Sequence, residues 1–354
     1  MGLGISIRVG GAPDELVASA AYVEVVERLG QPTQYRIEYS LDSAEGDFPL
    51  LKESKLGPGS ELQVMVPTAD ATYCLVKGPV YGQEITFEQG GSGSALVVLG
   101  ADSLIKMDRE DKAVAWSDLT DSSAVSAILS QVGLVPDVET TQAGHMETKH
   151  TLIQRSTDLA FVRRLAMRNG CLFWVSCDEF GVETAHFKRP VLEGEAQCDL
   201  VMNLVDPRSN VTSLTINWDV ERPTQADATE VDLNAKSDIS GAVQGSPLTA
   251  LGGSGLADIS ADTRVVHVRA PVDDNGDLQA LGEAALIESS FFLRATGATT
   301  LSALGKVVRS HSLVNVRGIG SRHSGLWFCS AVKHSIDSSE HTMEFELIRN
   351  GWAE

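Results

Sequence analysis

Leu62-Gln63-Val64-Met65-Val66, Tyr73-Cys74-Leu75-Val76-Lys77, Glu84-Ile85-Thr86-Phe87 and Ala95-Leu96-Val97-Val98-Leu99 follow one another after Leu56-Gly57-Pro58-Gly59, with turn-forming stretches between them. Near the other end come Leu313-Val314-Asn315-Val316, Trp327-Phe328-Cys329-Ser330-Ala331-Val332-Lys333 and Thr342-Met343-Glu344-Phe345-Glu346-Leu347-Ile348. Short apolar or alternating runs bounded by turns read as strands, so each set reads as a β-meander. Both sets carry a strand with an aromatic residue and a central Cys, followed by Val-Lys and a turn. Two like modules at the two ends of a chain predict a symmetric construction.

Working outward, residues 4–9, 20–28 and 34–41 also alternate as strands, and Leu29-Gly30-Gln31-Pro32-Thr33 reads as a hairpin connection. The first hundred residues thus hold six or seven antiparallel strands, enough for a small barrel or sandwich. The pattern then changes. Thr120-Asp121-Ser122 offers N-caps to a helix with Val125, Ile128, Leu129 and Val132 on one face, and Gly133 ends it. A second helix follows Ser156-Thr157, with Asp158 in its first turn, where a negative charge complements the helix dipole, and Asn169-Gly170 as its stop. The apolar strand Cys171–Ser176 comes next, then the turn Asp178-Glu179-Phe180-Gly181 and a short strand near Thr184–Lys188. Residues 211–218 alternate as a strand. Residues 236–262 are poor in large apolar side chains and read as a flexible linker. A strand at 263–269, the turn Asp273-Asp274-Asn275-Gly276 and a helix over roughly 277–295 lead into the closing meander, which ends at Arg349.

The expected fold is mainly β with an α+β middle region: two related antiparallel β-barrel domains plus a helix-containing insertion domain. The predicted divisions are 1–102 (first barrel, completed by strands near 205–220), 103–204 (α+β middle domain), 205–262 (connecting strand and flexible linker) and 263–354 (helix and second barrel).

A chain of 354 residues with 28 Lys plus Arg against 48 Asp plus Glu has a formal charge of −20. Such a surface repels phosphate backbones and argues against specific nucleic-acid binding. No stretch approaches the ~18 apolar residues of a membrane helix. Met1–Val9 lacks the basic start and apolar core of a signal peptide, which predicts synthesis and assembly in the bacterial cytoplasm. Cys74, Cys171, Cys177, Cys198 and Cys329 form no CxxC pair and read as reduced, mostly buried thiols.

Candidate chemistry is sparse. Gly91-Ser92-Gly93-Ser94 and Gly252-Gly253-Ser254-Gly255 miss the G-x-S-x-G spacing of a nucleophile elbow. Asp273-Asp274-Asn275-Gly276-Asp277 has its glycine at the fourth position of a calcium loop rather than the sixth, and Ala284 stands where a bidentate Glu belongs. His334, Glu340 and His341 flank a turn without ligand spacing and read as a solvated loop. His145, His150 and His267 stand alone, and Arg163-Arg164 read as a solvated helix face or an interface contact. No catalytic, cofactor-binding or metal-ligating residue is expected, nor any cofactor.

The segment Gln154-Arg155-Ser156-Thr157-Asp158-Leu159-Ala160-Phe161-Val162-Arg163-Arg164-Leu165-Ala166-Met167-Arg168-Asn169-Gly170-Cys171-Leu172-Phe173-Trp174 resembles the phage late control D family, baseplate hub proteins related to the N-terminal part of the type VI secretion spike VgrG. Arg155-Ser156-Thr157 stands where many members have Glu-Ser. Gly100-Ala101-Asp102-Ser103-Leu104 and Val314–Arg349 resemble the family's link to its middle domain and its closing barrel. The resemblance implies a non-enzymatic homotrimer whose six similar modules adapt a hexameric tail tube to a trimeric spike. It implies as partners the tail-tube protein, a separate spike protein and other baseplate components, in a virion tail or phage-like injection particle. VgrG proteins continue into a further barrel and a needle, so the spike is expected on another polypeptide. An acidic lumen is a further expectation from the net charge. The alternatives are a β-rich cell-wall or carbohydrate-acting protein and, less favoured, a secreted adhesin module.

Overall fold

The computed structural model describes residues 4–41, 48–89, 93–142, 144–148, 151–205, 208–232, 237–269 and 275–353. Met1–Leu3, Gly91-Ser92, His150 and Asp273-Asp274 lie outside them. The N-terminal part supplies β1 (Ser6–Val9), β2 (Tyr22–Arg28), β3 (Gln34–Ser40), β4 (Glu61–Pro67), β5 (Thr72–Thr86) and β6 (Ala95–Ala101). The middle holds β7 (Asp111–Trp116), α1 (Asp121–Val132), β8 (Val135–Val138), β9 (Leu152–Thr157), α2 (Asp158–Asn169), β10 (Leu172–Cys177) and β11 (Glu183–Lys188). The C-terminal part supplies β12 (Val211–Trp218), β13 (Gln225–Asp232), β14 (Ser237–Gln244), β15 (Val265–Val268), α3 (Asn275–Ser290), β16 (Leu293–Thr300), β17 (Leu313–Arg317), β18 (Gly325–Ile336) and β19 (His341–Arg349).

The fold is mainly β, with an α+β middle. The two β modules are joined side by side in one sheet, in the order β12-β16-β19-β18-β2-β3-β6-β5, continued by β4 and β1. Among the described residues this path is open, and neither module closes on itself as the separate barrels predicted from sequence. The reason is the long-range pairing of β18 with β2, Ala331 opposite Arg28 through Ile336 opposite Val23. That pairing uses the strand edges on which each module would have closed.

Each half contains a set of five strands in one order. The first pairs with the second, the second with the fifth, the fifth with the fourth, and the third with the leading part of the fourth. In the N-terminal half these are β2, β3, β4, β5 and β6; in the C-terminal half, β12, β16, β17, β18 and β19. Strand β5 runs unbroken through the turn expected after Lys77. Gly78 permits this, because a Cβ there would lie 1.9 Å from the Ala101 carbonyl oxygen, which packs against the bare backbone. A β-bulge falls between Val80 and Gly82 in β5, and between Cys329 and Ala331 in β18. Superposing the bulges matches Cys329 with Val80. The cysteines that frame the repeat in the sequence are therefore not equivalent in the fold. Cys74 belongs instead to the leading part of β5, where Met65 faces it across β4.

Both helices of the middle region carry the expected caps. Thr120 and Thr157 accept backbone N–H bonds from Ser123 and Ala160, both 3.2 Å, and Gly133 and Gly170 close the helices at positive φ. A core of its own, including Leu104, Ile128, Leu129, Phe161, Leu165, Phe173 and Phe187, fills this region. The sheet's core draws on both halves, with Tyr39, Leu96, Phe292, Trp327 and Phe345.

Two boundaries differ from expectation. The helix predicted over 277–295 ends at Ser290, because Leu293–Thr300 is held between β12 and β19 as a strand. The stretch read as a linker contains β14, which pairs with β13, while β15 pairs with β13 on the other side. Small residues explain the misreading. Ala226 and Ala228 are fully buried, and Gly282 brings α3 so close that a Cβ would sit 2.9 Å from Val243. A helix can pack tightly on a sheet without large apolar side chains.

Candidate assembly site

The internal seam between β18 and β2 is built from one face of each strand. Val332, His334 and Ile336 stand opposite Glu27, Val25 and Val23, and all six are buried. Glu27 occupies the inward phase of an alternating strand, where an apolar side chain is the rule. Its carboxylate accepts from Arg309 Nε at 2.5 Å and from the Ser310 backbone N–H and hydroxyl at 2.9 and 3.0 Å. The same guanidinium donates to the Cys74 and Leu75 carbonyls at 2.7 and 3.1 Å, tying the leading part of β5 to the C-terminal half. Burial opposes the charge on Glu27, yet Arg309, His334 and the Ser310 N–H outweigh it and hold the carboxyl at about 2. Next to it His334 Nδ1 and His341 Nε2 lie 3.0 Å apart, and His311 stacks on Trp174 at 4.3 Å.

These imidazoles set a pH dependence. Burial lowers His311 and His341 to about 3, and lowers His334 as well. A histidine whose folded value lies below its unfolded 6.5 contributes fully above that pH and loses its contribution as pH falls toward the folded value. Asp102, raised to about 7 by burial, acts in the opposite sense between 7 and 3.8. The two histidines at about 3, set against Asp102, give a net loss of about 1 kcal/mol between pH 6.5 and 5.5, and the lowered His334 acts in the same direction. Urea midpoints at the two pH values check it.

The two ends of the eight-stranded path are open. Among the described residues, β12 at one end has β16 on one side and no strand on the other, and at the other end the trailing half of β5 pairs only with β6. Apolar side chains are exposed along both edges: Tyr81 (51%), Ile85 (44%) and Phe87 (59%) on the β5 edge, and Trp218 (58%) on β12. The sequence reading placed Ile85 and Phe87 in a strand of their own but put Tyr81 in a turn between Lys77 and Glu84, so it did not show one continuous edge. The signal was the period-two run Tyr81, Gln83, Ile85, Phe87.

The residues singled out from the sequence do not converge on one site. His334 and His341 are buried in the sheet rather than in a solvated turn, because strand pairing continues to Ile336 opposite His341. His145 donates to or accepts from Asp121 at 2.7 Å inside the middle core, and His267 is exposed, 4.0 Å from Asp227. Arg164 donates to the Ile153 carbonyl and lies over the Phe161 ring, while Arg163 is half-buried beside it. Asp277 pairs with Arg168 at the α2–α3 contact. Gly252 and Gly253 turn at positive φ beside Arg349, just ahead of the short helix Leu256–Ile259 that Gly255 caps, and no strand-to-helix nucleophile turn is formed. The five cysteines are free, and all but Cys177 are buried. Among the described residues no three His, Cys, Asp or Glu side chains are grouped as metal ligands.

Gln154 and Asp158, from the segment that resembles hub proteins, hold the middle domain together. Asp158 accepts from Gln154 Nε2 at 2.8 Å and from Lys112 Nζ at 2.6 Å, and Gln154 accepts from Trp116 Nε1 at 3.2 Å. A cleft of about 380 Å³ lies between the middle region and α3, with Glu139 and Glu283 in its wall. Arg189 occupies both carboxylates, through its backbone N–H at 2.9 Å and its guanidinium at 2.8 Å. The free face of the sheet is mixed in sign. Arg36 pairs with Glu38 and Glu84, Lys333 with Glu24 and Glu344, and Arg28 with Glu346.

Residues 6–338 match the family model described as the Alg8 N-terminal domain. The chain belongs to that family. The match carries this description rather than that of late control D. No curated protein matches the chain in sequence. Solved structures of similar fold include the 43 kDa tail protein of prophage MuSo2 from Shewanella oneidensis, 14% identical over 98% of both chains with a TM-score of 0.65. A tail protein from Neisseria meningitidis MC58 is 13% identical over 98% of this chain and 96% of its own, with a TM-score of 0.69. The E. coli c3393 protein, a type VI secretion component similar in structure to bacteriophage T4 tail proteins gp27 and gp5, is 13% identical over 98% and 79%, with a TM-score of 0.60. At these identities the Alg8 N-terminal domain chain shares their fold. Among its described residues no helix is long and apolar enough to cross a membrane.

Proposed function

We propose that this chain is a non-enzymatic baseplate hub of a contractile phage tail or phage-like injection system. Three copies form a ring that joins a six-fold tail tube on one side to a three-fold spike on the other. One observation carries the reading: the five-strand module occurs twice in the same strand order, in tandem along one sheet. A trimer of such chains presents six like modules, which a trimer of single modules cannot do. The fold shared with prophage tail proteins and a type VI secretion component supports it. In this reading residues 103–204 form an appended domain outside the ring, assembly takes place in the bacterial cytoplasm, and the partners are tube, spike and further baseplate proteins.

Mass measurement and negative-stain electron microscopy of the purified chain test the proposal. The expected result is a particle of three chains with six lobes around its axis. A chain that stays monomeric at tens of micromolar and does not enter a tail particle overturns it.

A further inference from the structure

The internal seam is a template for a second one. With the bulges at Tyr81 and Ser330 superposed, Gln83 and Ile85 of β5, and Phe87 just beyond its end, occupy the places of Val332, His334 and Ile336 of β18. Following the registers across each half in the same way puts Leu214, Ile216 and Trp218 of β12 at the places of Val23, Val25 and Glu27 of β2. The two sets differ in burial. Val332, His334, Ile336, Val23, Val25 and Glu27 are all at most 3% exposed, because β18 lies against β2. Ile85 and Phe87 are 44% and 59% exposed, Trp218 is 58% exposed, and Leu214 and Ile216 are half-buried. Open strand edges with apolar side chains are a liability unless a partner strand covers them.

We propose that the trailing half of β5 in one chain pairs antiparallel with β12 of a second copy, in the register of the internal seam. This rests on the ring reading above and names its subunit contact. Ile85 then stands opposite Ile216, Phe87 opposite Leu214, Gln83 opposite Trp218 and Glu84 opposite Asn217. The bulge supplies one more bond. The Leu29 N–H donates to the Ser330 carbonyl at 3.0 Å, and the equivalent bond runs from the Val220 N–H to the Tyr81 carbonyl of the neighbour. Because the two edges differ, the contact is head-to-tail, and such contacts close into rings or grow into open filaments. An open edge at each end of every copy means that three copies leave none unpaired when the ring closes.

Cysteine cross-linking tests the register in the full chain. Glu84→Cys and Asn217→Cys are made separately and together, both at exposed positions, and oxidised with copper phenanthroline beside the unmodified chain. Covalent dimers and trimers are expected from the double variant alone. A Glu84→Cys/Ser213→Cys pair, displaced by four residues along β12, is expected to remain uncross-linked. Ile85→Asp is expected to convert the trimer to monomer with an unchanged circular dichroism spectrum. A trimer by mass that fails to cross-link at Glu84 and Asn217, or that cross-links equally in the displaced pair, overturns the seam and leaves the ring reading standing. A monomer in every preparation, with no cross-link, overturns both.

Discussion

Arg309→Met is expected to destabilise the fold by about 3–5 kcal/mol, the cost of leaving one charge of a buried pair without its partner. The side chain has a similar length, so packing changes little and the loss is electrostatic. Glu27 keeps only the Ser310 donors and His334 3.7 Å away, while the Cys74 and Leu75 carbonyls lose their charged donor. Because Arg309 reaches residues more than 230 positions away on the opposite half, the variant should loosen the junction of the halves before either core. Guanidinium unfolding measures the loss, and a reduced slope would report uncoupled halves. Glu27→Gln added to Arg309→Met is expected to recover part of the stability, since an uncharged amide no longer needs the guanidinium. If the double variant is no more stable than Arg309→Met, the burial of an unpaired carboxylate is not the cause.

Trp327→Ala is expected to cost about 3–5 kcal/mol, the range for deleting a large aromatic side chain from a packed core. Trp327 is fully buried, its indole N–H donates to the His323 carbonyl at 2.9 Å, and the Arg349 guanidinium lies 5.6 Å from its ring. Arg349 is itself buried, lowered by that burial to about 10, and donates to the Leu251 and His323 carbonyls. The alanine variant removes the face on which this cation rests as well as the packing volume. Trp327→Phe keeps most of the packing and is expected to lose less than half as much. Thermal unfolding of the two variants at neutral pH separates the volume from the hydrogen bond.

Trp327 also shows why the repeat is only partly legible in the sequence. Its counterpart in the first module is Gly78, where the Ala101 carbonyl takes the place of a side chain and the Tyr35 hydroxyl donates to the Gly78 carbonyl. The modules share strand order and bulge position while filling their cores differently. The motif that did repeat, a Cys followed by Val-Lys, falls at non-equivalent positions. Local features were read well where the determinant is local. The caps Thr120 and Thr157 and the stops Gly133 and Gly170 act within one helical turn, and all four stand as expected. The seam residues were not legible. Glu27 and Arg309 are 282 positions apart, and a lone acidic residue in an alternating strand does not announce its partner.

The sequence by itself determined most of the strands, the two capped helices, and which face of those strands is apolar, because a side chain's direction follows the period of its own backbone. Only the tertiary structure decided that the two β modules share one sheet, that His334 and His341 are buried, and that the β5 and β12 edges are left open. Alternation assigns a strand its faces and not its neighbours. The choice of neighbours rests on edge hydrogen bonds and side-chain contacts between segments about three hundred residues apart, and no short stretch of the chain encodes that choice.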